Sequence, residues 1–100
     1  MELTARDNGQ SREVRQGEAI VLRLDENPST GYAWEIAASD GLTLHADRYH
    51  PREGMGASGT REYHFKVERQ GVCRLRLRLR RSWDREAKGA KEYVITLHSS

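Results

Sequence analysis

Apolar and polar residues alternate with a period of two along most of the chain, the spacing of half-buried β-strands. In Ile20-Val21-Leu22-Arg23-Leu24, residues 20, 22 and 24 share one face, and in Ala33-Trp34-Glu35-Ile36 so do 34 and 36. Leu42-Thr43-Leu44 follows the turn signal Ser39-Asp40-Gly41, and Glu62 to Val67 sets Tyr63, Phe65 and Val67 against charge on the other face. The clearest segment runs from Val72 to Arg80: Cys73, Leu75, Leu77 and Leu79 point one way, and Arg74, Arg76, Arg78 and Arg80 the other. Glu92 to Leu97 closes the series after a polar stretch from Asp84 to Ala90. No window of helical length keeps apolar residues at i, i+3, i+4 and i+7 with matching caps, so the chain reads as all-β.

Short strands at regular spacing, divided by Gly, Asp and Pro turns, fit a sandwich or barrel. At 100 residues the immunoglobulin-like β-sandwich, with Greek-key connections and antiparallel sheets, matches the size. The Cys-Trp-Cys signature of antibody domains is absent. Residues 1–100 read as a single domain, without repeat, low-complexity tract or linker. Asn8 to Ser11 and His98 to Ser100 read as frayed ends.

Composition narrows the chemistry. Seventeen basic and 15 acidic side chains leave a net charge of +2, so bulk charge drives the chain neither to nucleic acid nor to a membrane surface. Cys73 is the single cysteine, which excludes an internal disulfide, and no Cys/His spacing suggests zinc. Met1 to Asp7 contains no apolar h-region, and no run approaches the roughly 18 apolar residues of a membrane span. As written the chain reads as cytoplasmic, or as periplasmic or secreted if a leader preceded it.

Several constellations have a bland reading beside a sharp one. Gly54 to Gly59 matches G-x-G-x-x-G, but it runs into a strand instead of opening a helix, so no helix N-terminus can hold a pyrophosphate. It is either a flexible surface loop or one whose missing Cβ atoms let a partner approach. The arginine stripe from Arg74 to Arg81 could track phosphates, yet it lacks stacking aromatics, and acids such as Glu62 and Glu68 are expected across strands to neutralise it. His45, His50, His64 and His98 show no metal-ligand spacing and read as solvated. Cys73, in phase with three leucines, reads as a buried and inert thiol. No nucleophile has an obvious base, so no catalytic residue is assigned and the chain is not expected to be an enzyme. Trp34 falls in phase with Ile36 and reads as core. Trp83, on the turn Arg81-Ser82-Trp83-Asp84, is either a packing plug or an anchor for a partner.

The stiff stretch Asn27-Pro28-Ser29-Thr30-Gly31-Tyr32 gives these loops a meaning. Taken in order, it and two others resemble the three signatures of the chagasin family of cysteine-peptidase inhibitors: N-P-[ST]-[ST]-G-[FY], a Gly-rich loop and R-P-W. The counterparts here are Asn27 to Tyr32, then Gly56-Ala57-Ser58-Gly59, then Arg81-Ser82-Trp83. The resemblance implies a sandwich whose three loops sit side by side at one end and wedge into the active-site cleft of a papain-like cysteine peptidase. The first loop would approach the catalytic cysteine, and the others would flank it. It implies no cofactor and no metal, and a monomer suffices. Ser58 stands where the family prefers glycine and Ser82 replaces a proline, which implies a less close approach and a less preorganised turn.

Physically, Pro28 fixes its own φ and pushes Asn27 towards extended backbone, while Gly31 permits a sharp exit. Ser29 and Thr30 are small enough for a narrow cleft, and their hydroxyls can hydrogen-bond near a thiolate without offering a good scissile carbonyl. Reversible, non-covalent blockade is expected. The alternatives are a nucleic-acid-binding β-module using the Arg74–Arg81 stripe and an immunoglobulin-like adhesion or scaffold domain.

Overall fold

Residues 1–52, 58–81 and 91–100 are described by the structure, a computed structural model. Among the described residues eight strands form two four-stranded sheets. In chain order they are β1 (Glu2–Leu3), β2 (Ser11–Val14), β3 (Ala19–Glu26), β4 (Tyr32–Asp40), β5 (Leu42–Pro51), β6 (Gly59–Val67), β7 (Gly71–Arg81) and β8 (Lys91–Ser99). One sheet runs β1-β3-β6-β5 and the other β2-β8-β7-β4, an immunoglobulin-like β-sandwich.

The alternating residues meet between the sheets. Ile20, Leu22 and Leu24 of β3 and Tyr63, Phe65 and Val67 of β6 face Cys73, Leu75 and Leu77 of β7 and Tyr93, Ile95 and Leu97 of β8, all buried. Burying each such leucine or isoleucine contributes about 1.5 to 3 kcal/mol. Cys73 is fully buried, as its phase predicts. Burial also pushes the Tyr63 and Tyr93 phenols upward.

Three expectations are corrected. The sheets are not purely antiparallel: β1 pairs in parallel with β3, and β2 with β8. The segments read as frayed ends are tied down, because Ser11 to Val14 register with Thr96 to Ser99, and the Asn8 side chain bonds the Glu92 carbonyl and the Val94 amide. A short N-terminal strand gains its backbone partners only when the sandwich closes, so local pattern does not reveal it. Trp34 is not a core residue but half-buried at the core's edge, with its indole N–H donating to the Asp25 carbonyl at 2.9 Å.

Candidate functional site

Strand register brings the ends of three connections to one end of the sandwich. Glu26, the last residue of β3, pairs with Gly59, the first of β6, which also pairs with Pro51, the last of β5. In the other sheet Tyr32, the first residue of β4, pairs with Arg81, the last of β7, and Leu79 pairs with Lys91 at the start of β8. The links 27–31, 52–58 and 82–90 therefore all leave from the same end. A cleft of about 400 Å³ there is lined by Asn27, Thr30 and Tyr32, by Ser58, and by Leu79 and Lys91. Gly56, Ala57, Ser82 and Trp83 of the expected site lie outside the described residues.

The first link is a short helical turn, not an irregular loop. Pro28–Thr30 forms a single 3-10 turn with Asn27 as its N-cap in extended conformation and Gly31 closing it at φ 80°, ψ −2°. Proline at the first helical position loses no needed donor, and glycine at the left-handed position avoids a Cβ clash. Asn27 Oδ1 accepts the Ser29 backbone N–H at 3.1 Å and its hydroxyl at 2.6 Å. The Asn27 carbonyl accepts the Thr30 amide at 3.2 Å and the Thr30 hydroxyl at 2.8 Å, and the Pro28 carbonyl accepts the Gly31 amide at 3.0 Å.

Pro28, Ser29 and Thr30 are exposed, whereas Asn27, Gly31 and Tyr32 are half-buried. The two hydroxyls, expected to be available to a thiolate, have their protons committed inside the turn. The Thr30 hydroxyl oxygen in turn accepts the Tyr32 backbone N–H at 3.5 Å.

Other site residues differ in role. Ser58 is half-buried, and its carbonyl accepts the Arg52 amide at 3.3 Å. Gly59 is buried: a Cβ there would lie 2.5 Å from the His50 carbonyl oxygen and 2.5 Å from the Tyr49 hydroxyl. Its glycine thus answers to packing inside the fold. The Arg81 guanidinium stacks over the Tyr32 ring at 4.5 Å, joining the exit of the first link to the start of the third.

Beneath the first link is a group that sequence reasoning missed. Glu26 is buried, yet it accepts hydrogen bonds from the Trp34 backbone N–H at 2.8 Å and from Arg61 Nη2 at 2.6 Å. Arg61 also reaches Asp47 at 3.1 Å and lies over the Tyr49 ring at 5.4 Å. The Glu26 carboxylate is the leading cause that raises the Arg61 pKa. A signal was present: Glu26 continues the inward phase of Ile20, Leu22 and Leu24, and Arg61 precedes Tyr63, Phe65 and Val67 in theirs. Opposite charges at the ends of two core-facing phases call for each other.

The arginine stripe is partly neutralised, but by other acids than expected. Arg76 pairs with Glu92 at 2.9 Å, and Arg80 lies 3.8 Å from Glu35. Glu62 belongs to the opposite sheet, where Arg23 at 3.0 Å, His64 at 2.6 Å and His50 at 3.6 Å surround it. Sheet membership is a tertiary choice, invisible in the alternation. Among the described residues no group of three or more His, Cys, Asp or Glu side chains could hold a metal ion, and no helix is long and apolar enough to cross a membrane.

Comparison with known proteins agrees with this architecture. Chagasin of Trypanosoma cruzi is 24% identical over 106 residues, spanning 98% of this chain and 96% of its own. The crystal structure of the cysteine protease inhibitor EhICP2 from Entamoeba histolytica superposes with a TM-score of 0.87 at 23% identity, covering 99% of this chain and 93% of that one. PbICP-C, solved in complex with falcipain-2, superposes with a TM-score of 0.70 at 14% identity, covering 100% of this chain and 90% of that one. The family model described as chagasin family peptidase inhibitor I42 matches residues 13–97, and the chain belongs to the chagasin family of peptidase inhibitors.

Proposed function

We propose that this protein is a reversible inhibitor of papain-like cysteine peptidases that blocks the active-site cleft with three neighbouring loops. The contact residues would be Asn27 to Tyr32, Gly56 to Gly59 and Arg81 to Trp83, working as a monomer and as one inhibitory domain without cofactor. The observation that carries this reading is the exposed, internally bonded turn Pro28–Thr30 at the end of the sandwich to which the other two connections also run. Family membership supplies the target class, and the complex of PbICP-C with falcipain-2 agrees with it.

The geometry explains how such a turn blocks without being cut. A peptidase cleaves a segment it can lay out as an extended strand, but here the Asn27 and Pro28 carbonyls are folded inward as acceptors of the turn's own hydrogen bonds. Unwinding the turn to present either carbonyl would sacrifice those bonds and the Asn27 cap, about 1 kcal/mol for the cap alone. Binding the turn as it stands needs little ordering, because it is already formed. Affinity then rests on shape and a few anchors, among which Trp83 is the foremost by its aromatic bulk. Gly59, buried under Tyr49, contributes through the shape of the second loop's base.

Titrating the protein against papain with a small fluorogenic substrate tests the reading. Stoichiometric loss of turnover, recovered on dilution, is expected. Unchanged turnover at a large molar excess of the protein would refute it.

A further inference from the structure

Glu26 is an acidic residue, 1% exposed at its side chain, and immediately precedes Asn27, the N-cap of the exposed turn. Burying a carboxylate costs several kcal/mol before compensation, and an apolar replacement often serves stability equally well. A purely stabilising role therefore explains its presence poorly. Its position explains more. β3 and β4 lie in different sheets, and β4 is the edge strand of its own, so no backbone ladder closes the base of the link between them. The Glu26 carboxylate closes it by accepting the Trp34 N–H, while the Trp34 indole closes it again on the Asp25 carbonyl.

We propose that the buried Glu26–Arg61 pair is the clamp that holds the Asn27–Gly31 turn in its binding conformation, which makes both side chains positioning residues for peptidase recognition. This deepens the inhibitory reading above and rests on it. Arg61 orients the carboxylate through its fork, Nη2 at 2.6 Å and Nε at 3.2 Å from the same Oε1. The same guanidinium is braced by Asp47 and lies over Tyr49, whose ring covers Gly59 at the end of the second link. The bases of the first two loops thus share one cation. A change at either residue of the pair loosens the first turn and disturbs the Tyr49–Gly59 contact at the base of the second link with it.

The test compares the wild type with Glu26→Ala and Arg61→Lys, and with Ile95→Val as a core control remote from the loops. Two quantities are read at 25 °C: the inhibition constant against papain, and amide hydrogen exchange across residues 29–34. Loss of preorganisation should raise the inhibition constant about ten-fold or more in both clamp variants and accelerate exchange across this segment. The Ile95→Val control should lower the melting temperature and leave both readouts alone. Arg61→Lys keeps the charge but loses the fork, so it carries the test if Glu26→Ala fails to fold. A folded clamp variant with wild-type exchange over residues 29–34 overturns the proposal. If the wild type itself does not inhibit papain, the inhibitory reading falls, and the exchange measurement alone decides the clamp.

Discussion

Gly31 offers the sharpest perturbation, because its strain can be counted twice. At φ 80° it occupies the left-handed region, where an L-residue with a Cβ costs about 1 to 2 kcal/mol. Gly31→Ala places that cost in one of two measurable quantities. If the turn keeps its shape, the folded state carries the strain and the melting temperature falls by about 4 to 8 °C per kcal/mol for a domain of this size. If the turn relaxes instead, stability is spared and the cost returns on binding, raising the inhibition constant about 5- to 30-fold. The two losses should sum to roughly the same free energy. Gly31→Asn, which tolerates this region, should lose less, and Gly31→Val more, since a β-branched side chain is an outlier there. Thermal melts and papain titrations on the three variants check the order. An alanine variant with both the wild-type melting temperature and the wild-type inhibition constant would refute the turn's dependence on glycine.

Other outcomes follow from the same reasoning. Trp83→Ala should weaken inhibition by about thirty- to a thousand-fold with the fold intact, as expected of a central aromatic anchor; equal potency would remove Trp83 from the interface. Gly59→Ala should destabilise the protein by about 1 to 3 kcal/mol, because its Cβ would press on the His50 carbonyl and the Tyr49 ring; a melt matching the wild type would show that β5 yields freely. The Glu62 carboxyl is held down to about 2, first by its hydrogen bond with His64 and then by Arg23. Its folded value lies below its unfolded one, so its stabilising contribution is present above about pH 4.5 and is lost as pH falls towards 2. Glu62→Gln should therefore flatten the acid side of the stability curve, and an identical acid limb in both proteins would contradict the assignment.

How far the chain could be read from its sequence differed from element to element. The strand from Val72 to Arg80 was plain, since Leu75 and Leu77 go in and Arg74 and Arg76 go out whatever lies opposite. The Pro28–Thr30 turn was half legible. Proline, glycine and the Asn cap promised a rigid tip, but the inward commitment of the Ser29 and Thr30 hydroxyls depended on the turn's three-dimensional closure. Glu26 and Arg61 were visible as charges in a core-facing phase, though their pairing is 35 residues apart in sequence and only fold geometry makes it local. β1 and β2 left almost no trace, because a two- or four-residue strand is stabilised by its neighbour's ladder and not by its own pattern.

By itself, then, the sequence determined what depends on neighbours along the chain. That covers the period-two faces, the turn chemistry at Asn27 to Gly31, the buried Cys73, and through three short motifs the family. Tertiary structure decided what depends on neighbours across space. Sheet membership gave Arg76 and Arg80 to Glu92 and Glu35 and not to Glu62, and register carried the ends of three distant links to one end of the sandwich. Burial turned Glu26 from one acid among 15 into a clamp. The physical reason is one of range: backbone sterics and alternation act over a few residues, whereas desolvation and ion pairing are set by whatever the closed sandwich brings within hydrogen-bond reach.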